Sequence, residues 1–336
     1  MRRIKYLIIR ILKMNYRQMF ETVAKIHKKT GRSRIWLFFD MVNCGLRYGA
    51  GYMDYMLCEF YDLTKEQRET YVTRGVNNRI VQLMNDPKSF HFMDDKCEFN
   101  EIFAEFVHRG WLNMKKATPE EFEAFMATRD RIITKPIDDS CGRGVDILNK
   151  ADFDSVQKMY EHLQSIGSGL IEDVIVQHPE VSAIYPHAIN TYRIVTIHSE
   201  GVSNVVYAYI RFGNGGHVVD NINAGGMTTP IDLETGMLNY LGYDKDSICY
   251  DVHPYTGHPI VGTKLPYWHE AVEMCLKASA MIPQLGYVGW DIAVSPDGPQ
   301  LIEGNPFPGH DFLQLPPHIP DKVGMLPRFR QFVKGL

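Results

Sequence analysis

The chain has 336 residues, of which 45% are hydrophobic and 23% are charged, with a net charge of −4. This composition predicts a globular protein of two or three packed lobes, and no apolar run approaches the roughly 20 residues of a membrane-spanning helix. The six cysteines form no CxxC pair, the 13 histidines lack zinc-site spacing, and we recognise no signal peptide. We therefore expect a cytoplasmic protein without structural disulfides or zinc.

Residues 1–30 combine apolar positions at helical spacing with a basic opposite side. Residues 1–34 contain eleven Lys or Arg and one acid, so this head carries about +10 and the remainder about −14. A basic amphipathic helix can lie on an anionic membrane surface, which would make the protein peripheral at the inner face of the membrane. The alternative is a helix that docks on its own domain and leaves its basic side in solvent. The sequence leaves both open.

The middle of the chain changes from helical to strand-like patterns. Residues 35–90 are aromatic-rich and mostly helical, with a capping box at Thr64 and Gln67, and Thr118 caps the helix in "TPEEFEAFM". From about residue 130, strand-like runs dominate, and helices interrupt them at about 152–166 and 267–282. This order favours an α+β fold built on mainly antiparallel sheets.

A small-residue loop follows the strand that ends at Lys135, in "IITKPIDDSCGRGVDIL". Glycines let backbone N–H groups approach and cradle phosphate oxygens, and the lysine adds positive charge. The loop lacks the GxxxxGK[ST] pattern and leads to a strand rather than a helix. The alternative interpretation is an ordinary glycine-containing hairpin.

The stretch "GWDIAVSPDGPQLIEGN" places acidic groups in a predicted hairpin of otherwise apolar strands. A three-residue "PDG" loop would pair Ser295 with Pro299, and Asp291 with Glu303. Asn305 would share the face of Glu303, because side chains alternate along a strand. Two carboxylates and one amide suit Mg²⁺ or Mn²⁺. The alternative is a solvated hairpin with acidic ends.

Taken in chain order, the motifs "MDDK", "ITKPIDDSCGRGV", "LIEDVI", "NTYRIVT", "DNINAGG" and "GWD…LIEGN" resemble the ATP-grasp superfamily over about residues 48–314. The resemblance is closest to its sugar-transfer-associated branch, and the chain is similar to proteins related to α-L-glutamate ligases. It implies an α+β ATP-grasp fold, with two lobes holding ATP between antiparallel sheets. The implied divisions are a helical segment at 1–90, a first lobe at 91–175, a second lobe at 176–325 and a tail at 326–336.

The resemblance also assigns site residues, with ATP and Mg²⁺ or Mn²⁺ as cofactors. It implies that ATP contacts Lys96, Lys135, Ser140, Gly142, Gly144, Glu172, Asp173, Ile175 and Glu180. It implies catalytic roles for Arg193, Arg211 and Asn221, and metal binding by Asp291, Glu303 and Asn305. In this scheme adenine bonds the backbone of Asp173 and Ile175, and Glu180 holds the ribose.

The implied activity is an ADP-forming, ATP-dependent carboxylate–amine ligase that acts through an acyl phosphate. It would join an amino acid or related acid to a sugar or glycan precursor in polysaccharide biosynthesis. The alternatives are an ATP-grasp kinase that phosphorylates a sugar or small molecule, and a non-catalytic ATP-binding partner of a glycosyltransferase. Retention of both lysines and of all three metal ligands argues against the non-catalytic alternative. The implied partners are a small-molecule or glycan-precursor substrate and a glycosyltransferase, with no nucleic acid.

Overall fold

The computed structural model describes residues 15–137, 144–217, 220, 222, 225–312 and 314–336. The chain forms two compact units, Met1–Arg79 with His310–Pro327, and Ile80–Gly309 with Arg328–Leu336. The sequence-based divisions at residues 90, 175 and 325 follow the lobes of the resembled fold rather than contact density, and they stay a prediction.

The first unit is built from helices. They are α1 (Tyr16–Thr30), α2 (Arg34–Tyr48), α3 (Tyr52–Leu57), α4 (Lys65–Arg68) and α5 (Arg74–Met84), which spans the division, with 3₁₀ turns at Phe60–Asp62 and Pro316–His318. The capping box predicted at Thr64 and Gln67 is confirmed at the start of α4. Gly31 caps the C-terminus of α1, and its φ of 71° is a left-handed conformation that favours glycine.

The apolar side of α1 packs into the core of this unit. Met19, Val23 and Ile26 are buried there with side chains from α2 and the 3₁₀ turn that follows α3. These positions are therefore not available to a membrane, which favours the docked-helix alternative for residues 15–30. Residues 1–14, the rest of the segment predicted to contact a membrane, lie outside the described residues.

Buried polar contacts attach the returning segment 310–327 to the same unit. The ring nitrogen Nε2 of His310 lies 2.7 Å from Oδ1 of Asp54, and both side chains are buried. The side-chain amide of Gln314 donates to the Val72 carbonyl and accepts from the Val72 N–H. A buried amide without such partners would destabilise the fold, so these pairs fix where the segment lies.

The second unit mixes helices with two antiparallel sheets. Its helices are α6 (His91–Asp94), α7 (Lys96–Ile102), α8 (Pro119–Met126), α9 (Val156–Ser165), α10 (Pro179–Ile184), α11 (Trp268–Met281) and α12 (Leu326–Arg330, which crosses the division), with 3₁₀ turns at Pro87–Ser89 and Lys150–Asp152. Its strands are β1 (Trp111–Asn113), β2 (Arg131–Lys135), β3 (Asp146–Asn149), β4 (Leu170–Asp173), β5 (Tyr192–Ser199), β6 (Val202–Phe212), β7 (Met227–Pro230), β8 (Gly242–Asp244), β9 (Cys249–Tyr250), β10 (Tyr287–Ser295) and β11 (Gly298–Asn305).

Every strand pair in the two sheets is antiparallel, which confirms the predicted α+β class. The smaller sheet has the order β1-β4-β2-β3 and packs against α8 and α9. The larger sheet has the order β11-β10-β5-β6-β7-β8-β9 and buries its apolar face, including Trp290, against α11. Among the described residues, no helix is both long and apolar enough to cross a bilayer.

The β10–β11 hairpin differs from its predicted turn. Ser295 pairs with Gly298, so the connection is the two residues Pro296 and Asp297, and the predicted pairing of Ser295 with Pro299 is wrong. Gly298 has a φ of 128°, a backbone conformation that residues with a side chain rarely adopt.

A β-bulge then restores the register that the sequence predicts. The pairing shifts between Ile292, which lies opposite Leu301, and Asp291, which lies opposite Glu303. Ile302 is the extra residue of the bulge. The predicted pairing of the two carboxylates is therefore confirmed, although a different turn leads to it.

Candidate active site

A cleft of about 560 Å³ lies within the second unit, lined by residues of both sheets. The smaller sheet contributes side chains from β2, β3 and β4, and the larger sheet contributes side chains from β6, β10 and β11. Of the residues that the sequence assigns to the site, the cleft wall contains Lys96, Lys135, Glu172, Ile175, Arg211, Asp291 and Glu303. The structure thus brings together the two lysines and two of the three acidic or amide ligands.

On the larger sheet, a row of polar residues crosses neighbouring strands. Asp291 lies opposite Glu303 on one side and opposite Arg193 on the other, and Arg193 lies opposite Tyr209. Arg193 donates to both carboxylate oxygens of Asp291, with Nη2 2.7 Å from Oδ2. Arg211 adds a third donor, with Nη2 2.8 Å from the same oxygen. Two guanidinium groups therefore fix one buried carboxylate.

The two neighbouring carboxyl groups have opposite pKa shifts. Burial by itself raises the pKa of Asp291, but Arg193 and Arg211 lower it more, so the pKa lies well below its usual range. Burial and the adjacent charge of Asp291 raise the pKa of Glu303 to about 7. Asp291 is therefore ionised, whereas a second negative charge on Glu303 is unfavourable.

This carboxyl pair fits a divalent cation. A positive ion offsets the repulsion that raises the pKa of Glu303, and the oxygen-only donors suit Mg²⁺ or Mn²⁺. Asn305 is placed differently, because it is outside the cleft wall and its Oδ1 accepts the Phe307 N–H at 2.8 Å. The structure therefore groups Asp291 and Glu303 but does not bring Asn305 onto the wall with them.

The two arginines predicted to be catalytic occupy different positions. Arg193 is 5% exposed and is not part of the cleft wall. It donates to Asp291 from the neighbouring strand β5. Arg211 lines the cleft, and its Nε and Nη2 donate to Thr191 Oγ1 at 2.9 and 2.8 Å. Thr191 in turn donates its N–H to Asp220 at 3.2 Å. Arg193 therefore positions Asp291, whereas Arg211 is held by Thr191 and lines the cleft.

On the smaller sheet, a buried carboxylate holds one of the two lysines. Nζ of Lys135 lies 2.5 Å from Oε2 of Glu172, and Nη2 of Arg109 lies 2.9 Å from Oε1. Burial alone raises the pKa of Glu172, but the two cations outweigh it and lower the pKa to about 2. Glu172 is therefore ionised and fixes the ammonium group of Lys135 at the cleft wall.

The second lysine and the glycine loop flank this ion pair. Lys96 begins α7, and its Nζ donates to the Ile137 carbonyl at 3.3 Å. Gly144 has a φ of 66°, and a Cβ there would lie 2.8 Å from Cγ of Pro136, so the position requires glycine. Ser140, Gly142 and Asn221, which the sequence also assigns to the site, lie outside the described residues.

Two nucleotide contacts assigned from the sequence are not on the cleft wall. Asp173 uses its N–H to bond the Gly110 carbonyl at 2.9 Å, and its side chain accepts from Gly110 N–H and Arg129. Glu180 is exposed at the start of α10 and is not among the lining residues. Of the predicted hinge residues, Ile175 does line the cleft.

Several residues in or next to the cleft were not assigned to the site from the sequence, although Asp220 lies in the "DNINAGG" motif. Thr191 and Asp220 support Arg211. Ser182 and His187, which follow Glu180 in the sequence, line the cleft. Thr191 stands in the "NTYRIVT" motif beside Arg193, so that motif could have indicated it. Arg109 has no local motif, because its partner Glu172 is 63 residues away in the sequence.

The chain is similar to solved structures that are described as ligases and synthetases. The ATP-grasp ligase PsnB with its minimal precursor is 14% identical, with 67% of this chain and 56% of that chain covered and a TM-score of 0.41. D-alanyl-alanine synthetase A from Vibrio cholerae is 11% identical, with 74% and 66% covered and a TM-score of 0.46. D-alanine–D-alanine ligase from Coxiella burnetii is 8% identical, with 74% and 59% covered and a TM-score of 0.44. This chain thus spans a little over half the length of PsnB.

Among curated proteins, no sequence matches this chain. The sequence profile described as sugar-transfer associated ATP-grasp matches residues 75–333. That match covers well over half of the chain and includes every strand of both sheets. The chain therefore belongs to the sugar-transfer associated ATP-grasp family and has the ATP-grasp fold.

Proposed function

We propose that the protein is an ADP-forming, ATP-dependent carboxylate–amine ligase that acts through an acyl phosphate. The observation that carries the proposal is the Asp291–Glu303 pair, fixed by Arg193 and Arg211 on a cleft wall that also contains Lys96 and Lys135. A cleft with carboxyl groups on one sheet and lysines near the other suits a nucleoside triphosphate bound with a divalent cation.

The chain offers separate surfaces for the parts of ATP. Lys96 and Lys135 supply positive charge for the phosphates, and the apolar side chains of Ile133, Val145 and Ile147 suit the adenine ring. Asp291 and Glu303, joined by Asn305 if it reorients, would hold Mg²⁺. When bound, Mg²⁺ neutralises charge on the phosphoryl oxygens during transfer.

The proposed reaction has two steps. A carboxylate oxygen of the first substrate attacks the γ-phosphorus of ATP, the bond to the β–γ bridging oxygen breaks, and ADP leaves. An amine of the second substrate then attacks the acyl carbon, the bond from that carbon to the phosphate oxygen breaks, and the nitrogen loses a proton, which gives an amide and hydrogen phosphate. Arg211 is suited to hold the substrate carboxylate in the first step and the oxyanion formed on amine attack in the second. Thr191 and Asp291 fix its guanidinium in advance.

The sugar-related part of the proposal is supported by the description of the family, which associates it with sugar transfer. We therefore propose a sugar or glycan precursor as one substrate and an amino acid or related acid as the other, in polysaccharide biosynthesis. A glycosyltransferase is the proposed partner, and the cytoplasm is the proposed compartment.

The deciding experiment traps the acyl phosphate. Purified protein, ATP and Mg²⁺ are incubated with a panel of amino acids and sugar acids, and ADP release is measured with and without hydroxylamine. A ligase gives a hydroxamate, ADP and free phosphate with the correct acid, in the absence of the natural amine. Reactions without the acid give the background.

Other products would overturn the ligase proposal. A stable phosphate ester in equal amount to ADP, with no free phosphate and no hydroxamate, would identify a kinase that uses the same nucleotide cleft. Binding of ATP without ADP release across amino acids, sugar acids and sugar nucleotides would favour the non-catalytic alternative.

A further inference from the structure

Helix α2 (Arg34–Tyr48) is apolar on two opposite sides. Leu37, Met41 and Cys44 face the core of the first unit and are buried. The other side carries apolar residues spaced by four, three and four positions, which places them in one stripe along the helix: Ile35, Phe39, Val42 and Leu46. Ile35 is 72% exposed and Phe39 is 65% exposed. Within the part of the chain that the structure describes, only one of these two apolar sides is covered, so α2 has an unpartnered face.

Neighbouring aromatic residues enlarge this face. Phe20 of α1 is exposed, and its ring stacks on Phe38 at 5.7 Å, which in turn contacts Phe39 at 5.5 Å. Trp36 is also exposed on α2. We name the set formed by Phe20, Ile35, Trp36, Phe39, Val42 and Leu46 the α2 stripe. Isolated exposed apolar residues are normal, but a connected group of this kind marks an interaction surface.

The residues around the α2 stripe are strongly basic. Arg34 and Arg47 are exposed at the two ends of α2, Lys25 and Lys28 are exposed on α1, and the Arg32 guanidinium lies 5.2 Å from the Trp36 ring centroid. Residues 15–48 contain only two acids. Glu21 pairs with Arg17, and Asp40 is shielded by its ion pair with Arg68. Arg32 also pairs with Asp62, and Lys29 pairs with Glu59. The surface therefore combines exposed apolar side chains with a positive charge that is carried mainly by Lys25, Lys28, Arg34 and Arg47.

We propose that the α2 stripe docks the protein on an anionic lipid bilayer. Apolar side chains would enter the headgroup–acyl boundary, and the flanking basic residues would contact anionic headgroups. Trp36 is the kind of residue that settles at such an interface, with an apolar ring and a polar N–H. The proposal concerns the first unit and is independent of the reaction catalysed in the second.

Charge selects the bilayer over two other occupants. A second copy related by two-fold symmetry would bring the same basic residues face to face, which is unfavourable. Residues 1–14 contain five Lys or Arg and no acid, so they would add positive charge to a surface that already has an excess. An anionic bilayer is the one occupant of the three that is both apolar and opposite in charge.

A flotation assay with the full-length protein tests the proposal. The probes are vesicles of phosphatidylglycerol and phosphatidylcholine in equal parts, and vesicles of phosphatidylcholine alone. The stripe variant is Phe39→Gln with Leu46→Gln. Its matched control is Ile166→Gln with Val202→Gln, two apolar residues of similar exposure in the second unit. A charge variant, Arg34→Glu with Arg47→Glu, tests the basic rim.

We expect the wild type and the matched control to float with the anionic vesicles only, and high salt to weaken that binding. The stripe variant should bind at least about tenfold more weakly, because two large apolar side chains no longer leave water. The charge variant should lose binding to the anionic vesicles as well.

Three results would overturn the proposal: no flotation of the wild type, equal flotation of the stripe variant, or a wild-type dimer in light scattering that the stripe variant converts to a monomer. If the stripe variant floats normally and a variant lacking residues 2–14 does not, the anchor is the N-terminal segment instead.

Discussion

Arg193 faces Asp291 from the adjacent strand and donates to both of its carboxylate oxygens, and both side chains are almost fully buried. Since Asp291 also accepts from Arg211, the carboxylate cannot rotate without breaking an ion pair. The geometry assigns to Arg193 the task of holding Asp291 in place, while Asp291 and Arg211 present groups to the cleft.

Removing Arg193 should destabilise the fold. Arg193→Ala leaves Asp291 with one of its two arginines in a buried site, and breaking such a pair costs about 3–5 kcal/mol. Chemical denaturation measures the loss, with Arg17→Ala as the control because Arg17 pairs only on the surface. A change of less than about 1 kcal/mol in Arg193→Ala would show that the pair contributes little to stability.

The second prediction concerns the metal site. Glu303→Gln should abolish ATP turnover, because the amide removes the anion expected to bind the cation. The folded protein should be no less stable than wild type, because Asp291 repels a charge at Glu303. ADP release and the denaturation midpoint are the two measurements. Turnover within a few-fold of wild type would show that Glu303 does not hold the metal.

The pairing of Asp291 with Glu303 could be predicted from the sequence, because the register of a hairpin follows from the local alternation of side chains between the two faces of each strand. The turn was not, since "PDG" is compatible with loops of two or three residues and the bulge at Ile302 compensates the difference. The capping box at Thr64 and the helix cap at Thr118 were predicted correctly for the same reason, as both depend on residues three apart.

Long-range contacts could not be predicted in this way. The Arg109–Glu172 ion pair and the different placements of Arg193 and Arg211 depend on how strands align, and no short motif encodes that alignment. The predicted apolar side of residues 15–30 was correct as a helix pattern. In the structure, α2 helps to cover this apolar side. From the sequence we did not recognise that α2 also has a second, exposed apolar side.

The third prediction is a pH dependence. Glu172 has a pKa of about 2 in the folded protein and an ordinary value of 4.5. A lowered carboxyl pKa contributes stability that is fully present above about 4.5 and is lost as the pH falls toward 2. Denaturation midpoints across this acid range should therefore fall in the wild type.

Glu172→Gln is the variant for this test. It should lower stability at neutral pH by about 3–5 kcal/mol, because Lys135 and Arg109 lose a buried counter-charge. Its stability should also fall less steeply than that of wild type between about pH 4.5 and 2. Parallel acid curves for the two proteins would contradict the assignment of this titration to Glu172.

The last prediction concerns Arg211 and the residue that orients it. Arg211 reaches the cleft wall, and its Nε and Nη2 are held by Thr191 Oγ1. If its guanidinium stabilises the oxyanion, Arg211→Lys should lower kcat by about 10²–10³-fold, the loss typical of removing one preorganised donor. Because the effect belongs to the transition state, KM for ATP should change much less. Thr191→Val keeps the shape of the side chain and removes the hydroxyl, so it should lower kcat by a smaller factor through loss of orientation alone. Steady-state kinetics and hydroxamate yield, measured side by side, separate the two variants. If Arg211→Lys raises KM for ATP and leaves kcat unchanged, Arg211 binds the nucleotide in the ground state and the oxyanion role is wrong.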